Sequence, residues 1–223
     1  HAYEQKGMPA NAARHYRKAS ELDPALGDPL LNLAAIHGEA ERFGKAAEQY
    51  RRYLDHRPDD HEVRFLLGNV LLLARRYDRA AQVYATIAAG RPAWAAIHGR
   101  LGYAYLMSDR PDSAAAAYRR TLALNPDSTL VRYQLGRLYA SQGQTERAAN
   151  EFERLIAAQP TVTEHHIRLA ELLIEGEKKP GIALGQSERL HRAEELLHRS
   201  LELEPVNPHP LWSLGMLYAR QGR

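Results

Sequence analysis

The 223-residue chain contains no cysteine. That excludes disulfides, thiol catalysis and zinc–thiolate sites. Lysine is scarce: the 30 basic residues are 25 arginines and 5 lysines. Neither sign of charge dominates, because 30 basic side chains face 27 acidic ones for a formal net charge of +3. This mild bias is not the dense positive field of a dedicated nucleic-acid binder. No apolar run approaches the roughly 18 residues of a membrane span, so direct membrane insertion is not expected. No signal-peptide pattern precedes His1-Ala2-Tyr3-Glu4. The chain opens on His and stops at Arg223 just after an apolar stretch, so a piece of a longer protein is expected, and the Ala- and Arg-rich, Lys-poor composition suggests a bacterial one. Its compartment, cytoplasmic or periplasmic, is left open. What is present is a globular composition, 44% hydrophobic and 26% charged, which rules out disorder.

Repetition dominates the sequence. Pro24, Pro58, Pro92, Pro126 and Pro160 stand 34 apart, and Pro205 follows after 45. Ala12, Ala46, Ala80, Ala114, Ala148 and Ala193 keep the same beat, as do Leu33, Leu67, Leu101, Leu135, Leu169 and Leu214. An aromatic column runs Tyr16, Tyr50, Tyr84, Tyr118 and Phe152, with Leu197 last. Several columns in one phase identify a repeat architecture. Each unit reads as two helices: apolar spacing predicts one over Ala95–Met107 and a second over about Ser113–Leu124. Pro111 suits a helix start, and Asp127 or Ser128 can cap the helix that follows. Gly68, Gly102, Gly136 and Gly215 are expected where paired helices approach closely.

With Leu-Gly-x-x-Tyr at Leu101–Tyr105, Leu135–Tyr139 and Leu214–Tyr218, the chain resembles the tetratricopeptide repeat family over nearly its whole length. Its signature tryptophan, at the fourth place of the unit, is replaced by Leu30, Arg64, His98, Arg132, His166 and Leu211. Unit two has Ala34 and His37, and unit six Ala170 and Leu173, for the usual Gly and Tyr. The resemblance implies an all-α, right-handed α-solenoid of helix–turn–helix repeats. Full repeats are expected at 27–60, 61–94, 95–128 and 129–162. A repeat with an 11-residue insertion around Glu177–Ser187 spans 163–207, and partial repeats occupy 1–26 and 208–223. Leu211, Leu214, Leu217 and Tyr218 are expected to face an absent partner helix.

Stacked pairs create a concave face. The stripe about 100° from the core stripe should line it, and peptide binding there is what the resemblance implies. The candidate partner-binding residues are Phe65, Asn69, Arg100, Tyr103, Tyr133, Arg137, Arg168 and Trp212. Leu72, Ile167, Glu171, Ile174 and Met216 fall on the same stripe, giving a largely apolar and aromatic groove. Tyr, Trp and Arg dominate binding hot spots. The Lys and Asn arrangement with which some family members grip a terminal carboxylate is incomplete, only Asn69 matching.

Catalytic patterns are missing. His165 and His166 are adjacent and point apart, His191 and His198 lie two turns apart, and no His-Glu-x-x-His occurs, so structural or surface histidine is expected. Glu171 and Glu175 follow Arg168 on what reads as a solvated face. No phosphate loop or nucleophile elbow is found. The expectation is a non-catalytic protein–protein interaction scaffold without cofactor or metal, binding a protein or peptide. The alternatives are a substrate-recruiting arm of an enzyme or of a secretion or assembly component, or a single-stranded RNA-binding helical repeat.

Overall fold

The computed structural model describes residues 9–176 and 185–222. Among these, twelve α-helices and no strand occur: α1 (Pro9–Leu22), α2 (Gly27–Glu39), α3 (Phe43–His56), α4 (His61–Leu73), α5 (Tyr77–Gly90), α6 (Ala95–Met107), α7 (Pro111–Leu124), α8 (Thr129–Ser141), α9 (Thr145–Ala158), α10 (Thr163–Glu175), α11 (Gln186–Leu203) and α12 (Pro208–Gln221). The protein is an all-α helical repeat of paired helices. It divides between Ala117 and Tyr118, inside α7, into two compact units. In the first, each helix from α1 to α6 packs on the next; in the second, α8 to α12 do the same, and α10 also touches α12.

Two recurring turns generate the pairing. Within a pair, the chain turns through a left-handed residue at Glu41, Arg75, Asp109 and Gly143, with φ of 54°, 54°, 56° and 72°. The following N–H reaches back across the helix end: Arg42 to the His37 carbonyl (2.7 Å), Arg76 to Leu71 (2.8 Å), Arg110 to Tyr105 (2.9 Å) and Gln144 to Tyr139 (2.8 Å). This six-to-one bond satisfies a carbonyl that the helix end would orphan. Only Gly143 has the residue that tolerates this φ freely.

Between pairs, a four-residue turn closes with Asp60 N–H to Arg57, Trp94 to Arg91, Ser128 to Asn125, Val162 to Gln159 and Asn207 to Glu204. The second residue of each is the repeating proline, whose fixed φ suits that position. The proline column is therefore a turn column.

The alanine and aromatic columns meet in the core. Ala46, Ala80, Ala114, Ala148 and Ala193 are all 0% exposed, and Tyr84, Tyr118, Phe152 and Leu197 are at most 1%. Gly68 makes the close approach expected of it: a Cβ there would lie 2.6 Å from Tyr84 Cε1. At Gly136 the nearest atom would be Phe152 Cζ at 3.2 Å. Gly215 departs from the expectation, since a Cβ there meets nothing within 4 Å.

α6 has the expected ends, and α7 starts at Pro111, two residues before Ser113. Ser128 occupies an N-cap position but its side chain makes no capping bond. Side-chain caps come instead from Asp60, which accepts from the N–H of Glu62 and Val63, and Asn207, which accepts from His209. The 177–184 part of the expected insertion lies outside the described residues, and α11 begins at Gln186. On α12, Leu214 and Leu217 are buried and the Tyr218 hydroxyl donates to Glu194 at 2.7 Å. Of the four residues expected to await a partner, only Leu211 is exposed. The face is closed from the other side, by α10 and α11.

Candidate functional site

The site is held in place by the residues that replace the signature tryptophan. Four of the six, Arg64, His98, Arg132 and His166, donate from the first helix of a pair back to the carbonyl of the preceding turn proline, while Leu30 and Leu211 have no side-chain donor. Arg64 reaches Pro58, the His98 Nε2 reaches Pro92 at 2.9 Å, Arg132 reaches Pro126 at 2.6 Å, and the His166 Nε2 reaches Pro160 at 2.9 Å. A long donor thus replaces a bulky ring. It ties α4, α6, α8 and α10 each to the turn that starts it, which restrains the rotation of the helix's outward face. Arg132 also pairs with Glu151 at 2.9 Å, both side chains being only 12% and 13% exposed.

In the first unit the candidates separate. Phe65 is half-buried against Tyr84 and Trp94, with ring centroids 5.9 and 5.4 Å away. The Tyr84 hydroxyl donates to Asn69 Oδ1 at 2.8 Å, and burial pushes that hydroxyl's pKa strongly up. Phe65 and Asn69 therefore serve the core of this unit. Arg100 and Tyr103 on α6 are exposed. Leu72 is buried, whereas Leu66, Leu73 and Met107, which the expected stripe omitted, are 42%, 60% and 42% exposed. Periodicity locates a stripe's spacing, but its rotation is set by how the helices pack.

The second unit brings four candidates onto its first helices: Tyr133 and Arg137 on α8, Arg168 on α10 and Trp212 on α12. The Tyr133 hydroxyl donates to Glu164 Oε1 at 2.9 Å, its ring packs edge-on to Phe152, and the Arg137 guanidinium sits 5.8 Å above it. Arg168 bonds Glu164 through Nε (2.8 Å) and Glu171 through a terminal nitrogen (2.9 Å). Burial favours the neutral Glu164 carboxyl, but the Tyr133 hydroxyl and Arg168 outweigh it and hold its pKa below the ordinary value. Burial and the bond to Glu164 raise the Tyr133 hydroxyl. Burial alone would lower the Arg168 guanidinium, yet Tyr133, Glu164 and Glu171 raise it.

Two hollows flank this network. One of ≈ 260 Å³ is lined by Arg137, Ala140, Phe152, Arg168, Glu171, Leu172 and Glu175. The other, ≈ 340 Å³, is lined by Glu164, Ile167, Arg168, Glu171, Glu175, His209, Trp212 and Met216. The expected apolar groove is corrected here: Ile167 and Ile174 are 2% and 1% exposed and belong to the core, and charged side chains line both hollows. The sequence pattern put Glu171 and Glu175 on a solvated face and did not single out Glu164. The signal available was the spacing around Arg168, with Glu164 four residues before it, Glu171 three after and Glu175 seven after.

His165 and His166 are buried, each with an Nδ1 that has no partner. Burial holds the His165 imidazole below its ordinary pKa, and so does His166 beside it. Among the described residues no three His, Asp or Glu side chains converge to hold a metal ion, and no helix is long and apolar enough to cross a membrane.

Three family models described as the tetratricopeptide repeat match the chain, over residues 1–26, 31–95 and 105–173. No curated protein matches it in sequence. Among solved structures, the fold is similar to a MamA protein (TM-score 0.69, 21% identity, 80% of this chain and 92% of that one). It is also similar to YrrB, described as a TPR protein with an unusual peptide-binding site (0.69, 18%, 91% and 99%). PilF of Pseudomonas aeruginosa aligns with TM-score 0.63 at 19% identity over 96% of this chain and 92% of that one. At these identities the likeness is one of fold.

Proposed function

This chain belongs to the tetratricopeptide repeat family, and we propose that it is a non-catalytic scaffold that binds a protein or peptide segment on the outward face of its first helices. The carrying observation is that this face keeps hot-spot residue types out of the core: Tyr103 is 40% and Trp212 62% exposed, with Arg100, Arg137 and Arg168 exposed beside them in their units. Such side chains lose little freedom or solvation on folding and remain available to a partner. An extended or helical segment suits a face built from parallel helix stripes. The repeats at 27–60, 61–94, 95–128, 129–162 and 163–207 are part of this reading.

Tyr133 changes role within it. Half-buried on Phe152 and bonded to Glu164, it orients the network and is not a free anchor. The test is therefore a Tyr103→Ala/Trp212→Ala double variant, which leaves Tyr133 and its network in place. The purified array is used to capture partners, washed at about 50 and then about 200 mM salt, with protein and RNA both counted. A protein retained through both washes by the parent, and lost by the double variant at unchanged melting temperature, is the expected result. RNA held at low salt and stripped at high salt would refute the scaffold reading.

A further inference from the structure

We propose that the hollow between α10 and α12 receives a cationic side chain, lysine or arginine, from the segment that binds this face. The inference rests on the scaffold reading and adds the partner's chemistry. Glu164, Glu171 and Glu175 line the hollow, and among the described residues Arg168 is the only lining cation apart from His209, so the formal balance of the described lining is 1 − 3 = −2 with His209 neutral. Arg168 is already engaged, bonding Glu164 and Glu171 at 2.8 and 2.9 Å. Glu164 is further satisfied by the Tyr133 hydroxyl at 2.9 Å. Glu175 is exposed and has no ion pair among the described residues. Trp212 lines the same hollow at 62% exposure.

These two groups ask for one guest. An aromatic face attracts a cation and accepts the apolar stem that carries it. A carboxylate about to be covered loses solvation unless a positive donor replaces the water. An anionic side chain would meet the residual negative charge. A neutral apolar one would satisfy Trp212 and leave Glu175 uncompensated. Only a cation on an alkyl stem satisfies both.

The chain has two tryptophans, so a Trp94→Phe background leaves Trp212 as the sole indole while preserving an aromatic ring against Phe65. The probe is an acetylated, amidated pentapeptide alternating leucine and lysine, titrated against Trp212 fluorescence. Its counterparts carry glutamate or norleucine in place of lysine. The lysine peptide should give a saturable response that weakens with added salt, and the norleucine peptide should bind about fivefold more weakly or worse. Glu175→Gln, exposed and hence without effect on the helical circular dichroism spectrum, should weaken the lysine peptide about two- to fivefold. Equal binding of the lysine and glutamate peptides, an unmoved lysine affinity in Glu175→Gln, or no saturable response to the lysine peptide would each overturn the proposal. None of these touches the scaffold reading, which stands or falls on partner capture by Tyr103→Ala/Trp212→Ala.

Discussion

Gly68 offers the sharpest test of the helix-pair packing. Alanine there adds a Cβ 2.6 Å from Tyr84 Cε1 and 2.7 Å from Cζ, against an ordinary contact that begins at 3.4 Å. The ring must therefore retreat by 3.4 − 2.6, about 0.8 Å. It has little freedom to do so: Tyr84 is 0% exposed, packs on Phe65, and is tethered at its hydroxyl to Asn69. Overpacking of this kind costs about 1–3 kcal/mol, and a strained or broken Tyr84–Asn69 bond adds about 1 kcal/mol. Replacing a mid-helix glycine by alanine returns about 1 kcal/mol. The net expectation is a loss of about 1–3 kcal/mol.

Two other glycines act as controls. At Gly136 the neighbour, Phe152 Cζ at 3.2 Å, has no polar tether and need give only a few tenths of an ångström, so Gly136→Ala should be close to neutral. At Gly215 nothing lies within 4 Å, so Gly215→Ala should gain about 0.5–1 kcal/mol. Urea unfolding followed by tryptophan fluorescence in Trp212→Phe and Trp94→Phe backgrounds reads the two units separately, since Trp94 lies in the first and Trp212 in the second. Gly68→Ala should lower the Trp94 midpoint, and Gly215→Ala should raise that of Trp212. A Gly68→Ala midpoint equal to or above the parent's would refute the tight approach of α4 and α5.

Arg75 has φ of 54°, a conformation in which a side chain costs about 1 kcal/mol, so Arg75→Gly should raise the Trp94 urea midpoint while Gly143→Ala (φ 72°) lowers stability by a similar amount. Arg132→Ala leaves Glu151, 13% exposed, with only the 4.0 Å contact to the exposed Arg154 and frees the Pro126 carbonyl, so it should cost about 2–3 kcal/mol by chemical denaturation. Arg199→Ala breaks a pair whose side chains are 53% and 65% exposed and should cost about 0.5 kcal/mol or less; equal losses would show that burial is not what matters. His165 is held below its ordinary pKa of 6.5 by burial. The unfolded chain therefore takes up its proton first as pH falls, and the second unit should lose stability as the pH drops below the ordinary 6.5. Glu164, held below its ordinary 4.5, stabilises above that value and adds a loss only below it. A Trp212 urea midpoint that stays flat or rises between pH 7 and pH 5 would contradict the burial of a neutral His165.

How far the sequence could be read is clear from particular residues. The proline, alanine, leucine and aromatic columns are local or nearly local signals, because each repeat solves the same packing problem with the same residue types. The ends of α6 followed from apolar spacing alone. The site was less legible. Four of the expected groove residues, Tyr133, Arg137, Arg168 and Trp212, do come onto the first helices of one unit, but Phe65 and Asn69 are engaged with Tyr84, and Ile167 and Ile174 are core. Rotating a helix by one residue moves a side chain about 100°, so a small error of phase exchanges core for surface. The roles of Arg64, His98, Arg132 and His166 as donors to the turn prolines were invisible because the bond spans six residues and depends on the turn's shape.

By itself, then, the sequence determined the repeat length, the pairing of helices and the turns between them, since these follow from side chains within 34 residues of one another. Only the tertiary structure decided which first-helix residues face outward, that Glu164 rather than solvent satisfies Tyr133, and that Glu175 and Trp212 share a hollow. Those facts depend on the rotation of one helix against the next pair. That rotation is the outcome of packing among side chains distant in the chain, which no local pattern carries.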